Sequence, residues 1–167
     1  NTEGQSVTMV YVDGTQGWVN TMDSTSNVRG ITPFIHATGG SPPTGAISGN
    51  CKIHTFTGPG TFCVSSLSPS APENVVSYLV VAGGGGGGDQ RGGGGGAGGF
   101  REYESPVTPY VSSPLDGNPC GTAITVSASP YPITVGGGGT GATTPGSAAL
   151  NGNSSIFSTI TSAGGGG

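Results

Sequence analysis

Short runs in which apolar and polar residues alternate recur along the chain, and each run ends at a glycine, a proline or another turn-forming residue. Residues 6–12 (SVTMVYV) place Val7, Met9 and Tyr11 on one face and polar or β-branched residues on the other. This period of two is typical of a β-strand. Residues 13–17 (DGTQG) carry two glycines and precede Trp18-Val19, so the sequence predicts a β-hairpin here.

A second pair of alternating runs lies in the middle of the chain. Residues 52–56 (KIHTF) and 61–64 (TFCV) flank Gly58, Pro59 and Gly60. Proline fixes one φ angle and glycine accepts a positive one, a combination typical of tight turns. The sequence therefore predicts a hairpin that turns at Gly58-Pro59-Gly60.

The most apolar run, residues 75–81 (VVSYLVV), is apolar on both faces. This pattern predicts a strand that is buried from two sides. The run leads directly into glycine, and the same succession of a strand and a glycine run recurs after Val135 and Thr161. We interpret the three copies as a degenerate internal repeat.

These patterns predict a mainly β fold of short antiparallel strands and hairpins, because no segment has the periodicity of an α-helix. We expect three parts: an N-terminal β-hairpin module at 1–36, a β module with the Gly-Pro-Gly hairpin at 37–81, and a glycine-rich region with short strands at 82–167. The chain does not begin with Met and stops inside a glycine run, so we also expect a fragment of a longer protein.

Composition narrows the possible functions. The chain has 167 residues, including 36 Gly and 13 Pro, and only 7% of them are charged. Four basic residues against eight acidic ones give a net charge of −4, so no nucleic-acid partner is expected. No apolar run approaches the roughly 18 residues of a membrane span, so no membrane insertion is expected. Because only 32% of the residues are hydrophobic, we expect the core to be shared between copies in a homo-oligomer.

The glycine runs allow two interpretations. From Gly83 to Gly99, 13 of 17 residues are glycine. Such a run is either a flexible linker or an ordered polyglycine II helix, whose N–H and C=O groups must bond to neighbouring chains. Each run continues a strand without a polar spacer, and residues 89–91 (DQR) resemble one turn between two packed glycine strands, which favours the ordered form. Glycines within a run, such as Gly94, are then expected to have no room for a Cβ atom.

The candidate packing positions share this role. They are Gly83, Gly84, Gly85, Gly86, Gly87, Gly88, Gly92, Gly93, Gly94, Gly95, Gly96, Gly136, Gly137, Gly138 and Gly139.

Little in the sequence indicates catalysis. No Gly-x-Ser-x-Gly motif is present, the glycine runs lack the Lys-Ser/Thr of a phosphate-binding loop, and the three cysteines show no metal-ligand spacing. We therefore expect no catalytic residue, cofactor or metal. One alternative stays open: Glu102 and Glu104 share a strand face, and paired carboxylates can hydrolyse glycosides.

The phrases at 52–65 (KIHTFTGPGTFCVS), 77–102 (SYLVVAGGGGGGDQRGGGGGAGGFRE), 131–139 (YPITVGGGG) and 155–167 (SIFSTITSAGGGG) resemble glycine-rich modules of virion proteins from tailed phages, notably phages of marine cyanobacteria. Residues 6–18 resemble a small β-module that precedes such segments in tail fibres. The resemblance implies a non-enzymatic structural protein of a tail fibre or related virion fibre, located on the virion. It also implies layered polyglycine II packing and a homo-oligomer, with three copies expected.

The partners that this interpretation implies are further copies of the chain, other virion proteins and a host cell-surface glycan or protein receptor. Two alternatives stay open: a self-assembling extracellular or virion-surface filament subunit, and a glycan depolymerase.

Overall fold

The computed structural model describes residues 8–13, 17–22, 34–89, 92–108, 110–117 and 122–167. These residues form short strands and one 3-10 helix, Ala71–Asn74, which confirms the predicted mainly β class. The strands are β1 (Thr8–Asp13), β2 (Gly17–Met22), β3 (His36–Thr38), β4 (Ala46–Ser48), β5 (Cys51–Ile53), β6 (Gly60–Ser66), β7 (Val75–Val76), β8 (Tyr78–Val81), β9 (Phe100–Tyr103), β10 (Ile124–Thr125), β11 (Pro130–Thr134), β12 (Ser155–Phe157) and β13 (Ile160–Ser162).

The chain divides into two compact units, residues 1–32 and 33–167. The first unit contains the predicted N-terminal hairpin: β1 pairs antiparallel with β2, and Tyr11 lies opposite Trp18. This pairing confirms the prediction, while turn residues 14–16 lie outside the described residues. In the second unit, strands from either side of residue 81 pair with each other, β6 with β11 and β7 with β10.

A five-stranded antiparallel sheet forms the centre of the second unit, in the order β13-β12-β11-β6-β3. β6 lies inside this sheet, and its Val64 is only 2% exposed. Alternation places Val64 on the buried face and its neighbours on the exposed face, as expected of a sheet with one face towards the core.

The predicted hairpin at Gly58, Pro59 and Gly60 is wrong. β5 pairs with β4, and β6 pairs with β3 on one edge and β11 on the other. Both edges of β6 are therefore occupied. The segment that follows β5 is held instead by the loop before β4, because the Ser41 N–H donates to the Thr55 carbonyl at 2.8 Å.

The predicted strand at 75–81 also differs from the structure. Ser77 interrupts it: its hydroxyl donates to Thr108 Oγ1 and accepts from the Ser105 N–H. β7 before the interruption pairs with β10, and β8 after it pairs with β9. Burial from two sides is wrong for β8, since Leu79 is 59% and Val81 51% exposed.

Phe157 of β12 lies at the centre of an aromatic cluster. Its ring centroid is 5.9 Å from that of Tyr78, 6.2 Å from that of Phe62 and 6.2 Å from that of Tyr131. These contacts join the five-stranded sheet to the β8-β9 ribbon, which packs over β12 and β13. The glycine-rich segments continue from these packed strands, so the core fixes where the glycine segments begin.

Candidate functional site

Five glycine-rich segments extend from the ends of the strands. Segment I (82–88) continues β8, segment II (92–99) leads into β9, and segment III (136–142) follows β11. Segment IV (150–153) precedes β12, and segment V (163–167) continues β13. They contain no regular ladder of β-sheet hydrogen bonds, and their hydrogen bonds follow a different period.

Segment I bonds to segment II at every third residue. The N–H groups of Ala82, Gly85 and Gly88 donate to the carbonyls of Gly99, Gly96 and Gly93 at 2.9, 2.8 and 2.8 Å. Donor numbers rise by three while acceptor numbers fall by three, so the two segments are antiparallel. A spacing of three is the repeat of a polyglycine II helix.

The residues between these donors face other neighbours. Gly83 and Gly86 donate to the carbonyls of Asn153 and Leu150 in segment IV at 3.0 and 2.9 Å. The carbonyls of Gly84 and Gly87 accept from Gly139 and Ala142 of segment III at 2.8 and 2.9 Å. Successive residues of segment I therefore turn towards segments II, IV and III in rotation, as a threefold helix requires.

Segments IV and V complete the arrangement. Segment V accepts hydrogen bonds from segments II and IV and donates one to Gly83 of segment I; segment IV also bonds to segment III. Segment I thus bonds to all four other segments, whereas segment II bonds only to I and V and segment III only to I and IV. The five segments form two layers, II-I-III and V-IV, which we call the glycine bundle.

Close approach of the backbones explains glycine at many positions. A Cβ atom on Gly85 would overlap the Gly166 carbonyl, one on Gly95 the Gly85 carbonyl, and one on Gly139 the Leu150 carbonyl. These neighbours are backbone atoms, which cannot move aside as a side chain can. Eight candidate positions have a neighbouring backbone atom within 2.7 Å of such a Cβ: Gly83, Gly85, Gly86, Gly88, Gly92, Gly95, Gly136 and Gly139.

The remaining candidate positions are looser. At Gly96 the nearest atom lies 3.0 Å away, and at Gly84, Gly87 and Gly138 it lies at 3.4 Å or beyond. Within the single chain nothing lies within 4 Å of a Cβ on Gly94, so the close packing expected there stays a prediction about neighbouring copies; Gly93 and Gly137 are equally open. A Cβ on Gly93, Gly94 or Gly137 would therefore point away from the neighbouring segments of the same chain.

The sequence pattern missed part of the bundle. Segment IV (Leu150-Asn151-Gly152-Asn153) has only one glycine, and this Gly152 has no room for a Cβ because the Gly83 carbonyl lies there. Gly98, Gly99, Gly164 and Gly165 are similarly enclosed. A search for glycine runs cannot detect a segment in which only one position in three faces the neighbouring layer.

Glu102 and Glu104 do not form a catalytic pair in an open cleft. Glu102 is 8% exposed and accepts from the Ser113 N–H at 3.0 Å, from the Ser113 hydroxyl and from the Tyr110 hydroxyl at 3.4 Å. Glu104 accepts from the Tyr110 N–H at 3.3 Å. Glu102 therefore fastens the loop 104–117 to β9, while Glu104 bonds within that loop.

The carboxylates around Tyr110 affect the pKa of its hydroxyl group. Partial burial, followed by the negative charges of Glu102, Glu104 and Asp116, raises the pKa of Tyr110 to about 12. The neutral phenol donates to Glu102, and a phenolate at the same place would meet three carboxylates.

The cavities offer no catalytic set. A surface cavity of about 380 Å³ is lined by Gly39-Gly40-Ser41 and by residues 55–61, none of which is titratable. A smaller one of about 140 Å³ is lined by Arg101, Ile160 and three threonines. His54 binds the Gly39 carbonyl through Nδ1 at 2.8 Å and packs its ring edge against Phe62. Within the described residues, no group of three or more His, Cys, Asp or Glu side chains could hold a metal ion, and no helix could cross a membrane.

Comparison with known sequences shows the family of this chain. The profile described as Glycine-rich domain matches residues 55–167, about two thirds of the chain. The chain belongs to this family. All five segments of the glycine bundle lie in the matched region of the glycine-rich domain, as do strands β6 to β13. Searches against characterised proteins and against solved structures found no match.

Proposed function

We propose that this glycine-rich domain protein is a non-enzymatic structural part of a phage virion, in a tail fibre or a related fibre, and that it is extracellular on the mature particle. The observation that supports this most is the glycine bundle, whose layers are held by backbone hydrogen bonds and need no ligand or cofactor. The resemblance of the glycine phrases to tail-fibre modules supports the location.

The loop 104–117 supports a role in host attachment within this proposal. Its carboxylate anchors hold it in place while it exposes apolar side chains: Val111 is 99%, Leu115 52% and Tyr110 40% exposed. Loops on a rigid scaffold are where binding residues commonly lie. The partners in this proposal are other virion proteins and a host-surface glycan or protein receptor.

The location is tested by immunogold electron microscopy of intact particles of a phage that encodes the chain. We expect antibodies against the purified chain to label fibres, and pre-absorption with that chain to remove the label. Labelling that is absent from particles but present in infected-cell lysates would contradict the proposal.

A second candidate is a filament subunit, favoured by the exposed apolar face of β8. A fibre protein forms a closed homo-oligomer, for which the resemblance implies three copies, whereas a filament grows with concentration. Light scattering over a concentration series separates them. A mass that rises without limit supports the filament.

The depolymerase alternative is tested with Glu102→Gln and Glu104→Gln. Because both carboxylates accept hydrogen bonds from the loop, we expect the wild-type chain to release no reducing ends from host-surface glycans. Release by the wild type that is lost in both variants would establish an enzyme instead.

A further inference from the structure

The two outer faces of the glycine bundle differ in character. The face of layer V-IV carries side chains, including Leu150, which is 59% exposed, and the exposed Asn151 and Asn153. The face of layer II-I-III presents Gly94 and Gly138, both exposed, and the half-buried Gly84 and Gly87. One face therefore carries large side chains, whereas the other is backbone apart from the methyl group of the exposed Ala97, three residues after Gly94.

Packing within the chain does not require glycine at these four positions. The nearest atom to a Cβ lies 3.4 Å away at Gly84, 3.7 Å at Gly87 and 3.5 Å at Gly138, and nothing lies within 4 Å at Gly94. None of the four has a φ angle in the left-handed region. Glycine in such a place destabilises the fold through its backbone entropy relative to alanine. An unexplained glycine on one face only needs a cause outside the chain.

The same positions carry unpaired backbone donors. Within the described residues, the N–H groups of Gly84, Gly87, Gly94 and Gly138 donate to no backbone carbonyl. In segment I the unpaired donors, Gly84 and Gly87, are three residues apart, and the N–H groups between them are paired. A row of free N–H groups is a template to which carbonyl groups of another chain can bond.

An exposed apolar patch continues this face at its base. Segment I follows β8 and segment II precedes β9, and Val81 lies opposite Phe100 in that ribbon. Tyr78 and Val80 face the core, which leaves Leu79, Val81 and Phe100 on the outside at 59%, 51% and 37% exposure. These three side chains and the four glycines form what we call the outer glycine face.

We propose that the outer glycine face binds the same face of a second copy of this chain. Only a partner whose glycine segments lack large side chains can bring its backbone to within about 5 Å and match backbone groups at a period of three, and the glycine part of this face has that chemistry itself. None of its seven residues is charged, and the neighbouring Glu102, which lies opposite Leu79, is only 8% exposed, with its carboxylate bonded to Ser113 and Tyr110. A face that meets its own copy makes a two-fold contact.

The size of the face suits a reversible contact. The three segments lying side by side, together with the ribbon below them, measure roughly 35 by 15 Å, or about 500 Å² on each copy. The total of about 1,000 Å² is near the lower limit for a specific interface. This inference rests on the self-association in the proposed function and not on the location in a virion, and its two-fold contact gives a dimer where the resemblance implies three copies.

The test compares full-length variants by sedimentation equilibrium at about 1 to 100 µM, the range in which an interface of this size dissociates. Gly94→Lys and Gly138→Lys add a long charged side chain where the single chain has room. We expect each to weaken dimer formation at least about tenfold while thermal melting of the dilute protein is unchanged or slightly higher. Leu150→Lys on the opposite face is the matched control and should leave dimer formation unchanged.

Two results would overturn the inference in distinguishable ways. A wild-type chain that stays monomeric at 100 µM removes both the self-association and this interface. If Gly94→Lys and Gly138→Lys associate as strongly as the wild type, self-association stands but takes place through another surface. Should either lysine variant fail to melt cooperatively, Leu79→Ser carries the test, because Leu79 is already 59% exposed and its loss should weaken only the contact.

Discussion

At the scale of single residues, the glycines of this chain fall into two classes that the sequence does not distinguish. Gly85 and Gly94 both lie inside glycine runs, yet a Cβ on Gly85 would overlap the Gly166 carbonyl and one on Gly94 would meet nothing. The difference arises because only some positions of a threefold helix face a neighbouring segment.

Gly85→Ala should therefore lower the free energy of unfolding by about 2 kcal/mol or more, since two backbones must separate to admit the methyl group. Gly94→Ala is the matched control and should be neutral or stabilise by up to about 1 kcal/mol, because alanine restricts the unfolded chain. Urea unfolding of the dilute protein measures both. Equal effects would mean that segment I does not pack against segment V.

The carboxylate of Glu102 is the second residue with a defined structural role. In Glu102→Gln an amide group replaces one acceptor oxygen and faces donors of Ser113 or Tyr110, so we expect a loss of about 1–3 kcal/mol. Faster hydrogen exchange at the Ser113 amide should accompany it, with no change in the glycine bundle. Glu73→Gln, on the 3-10 helix, is the control. An unchanged Ser113 amide in Glu102→Gln would show that the loop is held by other contacts.

Tyr110 gives this loop an alkaline transition. Its folded-state pKa of about 12 is above the unfolded value of 10.0, so the stability it contributes is complete below pH 10 and is lost as the pH rises towards 12. Spectrophotometric titration should show a late tyrosine ionisation that Tyr110→Phe removes. Tyr131→Phe should remove an earlier one, because hydrogen bonds from Ser127 lower the pKa of Tyr131. A late ionisation that survives in Tyr110→Phe would contradict this assignment.

At the scale of elements, β12 links the central sheet to the β8-β9 ribbon and to segment IV. Phe157→Ala should remove ring contacts with Phe62, Tyr78 and Tyr131 at once and lower the free energy of unfolding by about 3–5 kcal/mol. Ile156→Ala, on the opposite and partly exposed face, should lower it by much less. Thermal or urea unfolding measures both, and similar losses would mean that the aromatic cluster is not the main link.

Local patterns predicted strands well and strand partners poorly. Alternation placed a strand around 61–64, and the structure has β6 there, but the turn residues Gly58-Pro59-Gly60 did not determine its neighbours. β3 and β11 occupy the two edges of β6 and are distant from it in sequence, so no local signal reveals them. Likewise, the apolar run at 75–81 does not show that Ser77 bonds to the loop 104–117 and divides the run.

At the scale of the whole molecule, backbone hydrogen bonds join more of the glycine-rich region than the apolar core does. The buried hydrophobic residues of the core cluster are few and lie at the base of the glycine bundle. The position of each glycine run directly after a strand predicted that the runs are ordered. The layer arrangement, however, depends on segment IV, which has a single glycine and so contains no glycine run. Backbone hydrogen bonds between segments at every third residue therefore define the glycine bundle.

Amide hydrogen exchange, followed residue by residue by NMR in dilute protein, tests this claim most directly. The N–H groups of Gly83, Gly85 and Gly86 donate to other segments, so we expect slow exchange there. Those of Gly84, Gly87 and Gly94 have no acceptor within the described residues and should exchange rapidly. Slow and fast amides that follow this period along one glycine run would support the ordered bundle. Uniformly fast exchange across residues 83–88 would contradict it and leave a flexible linker.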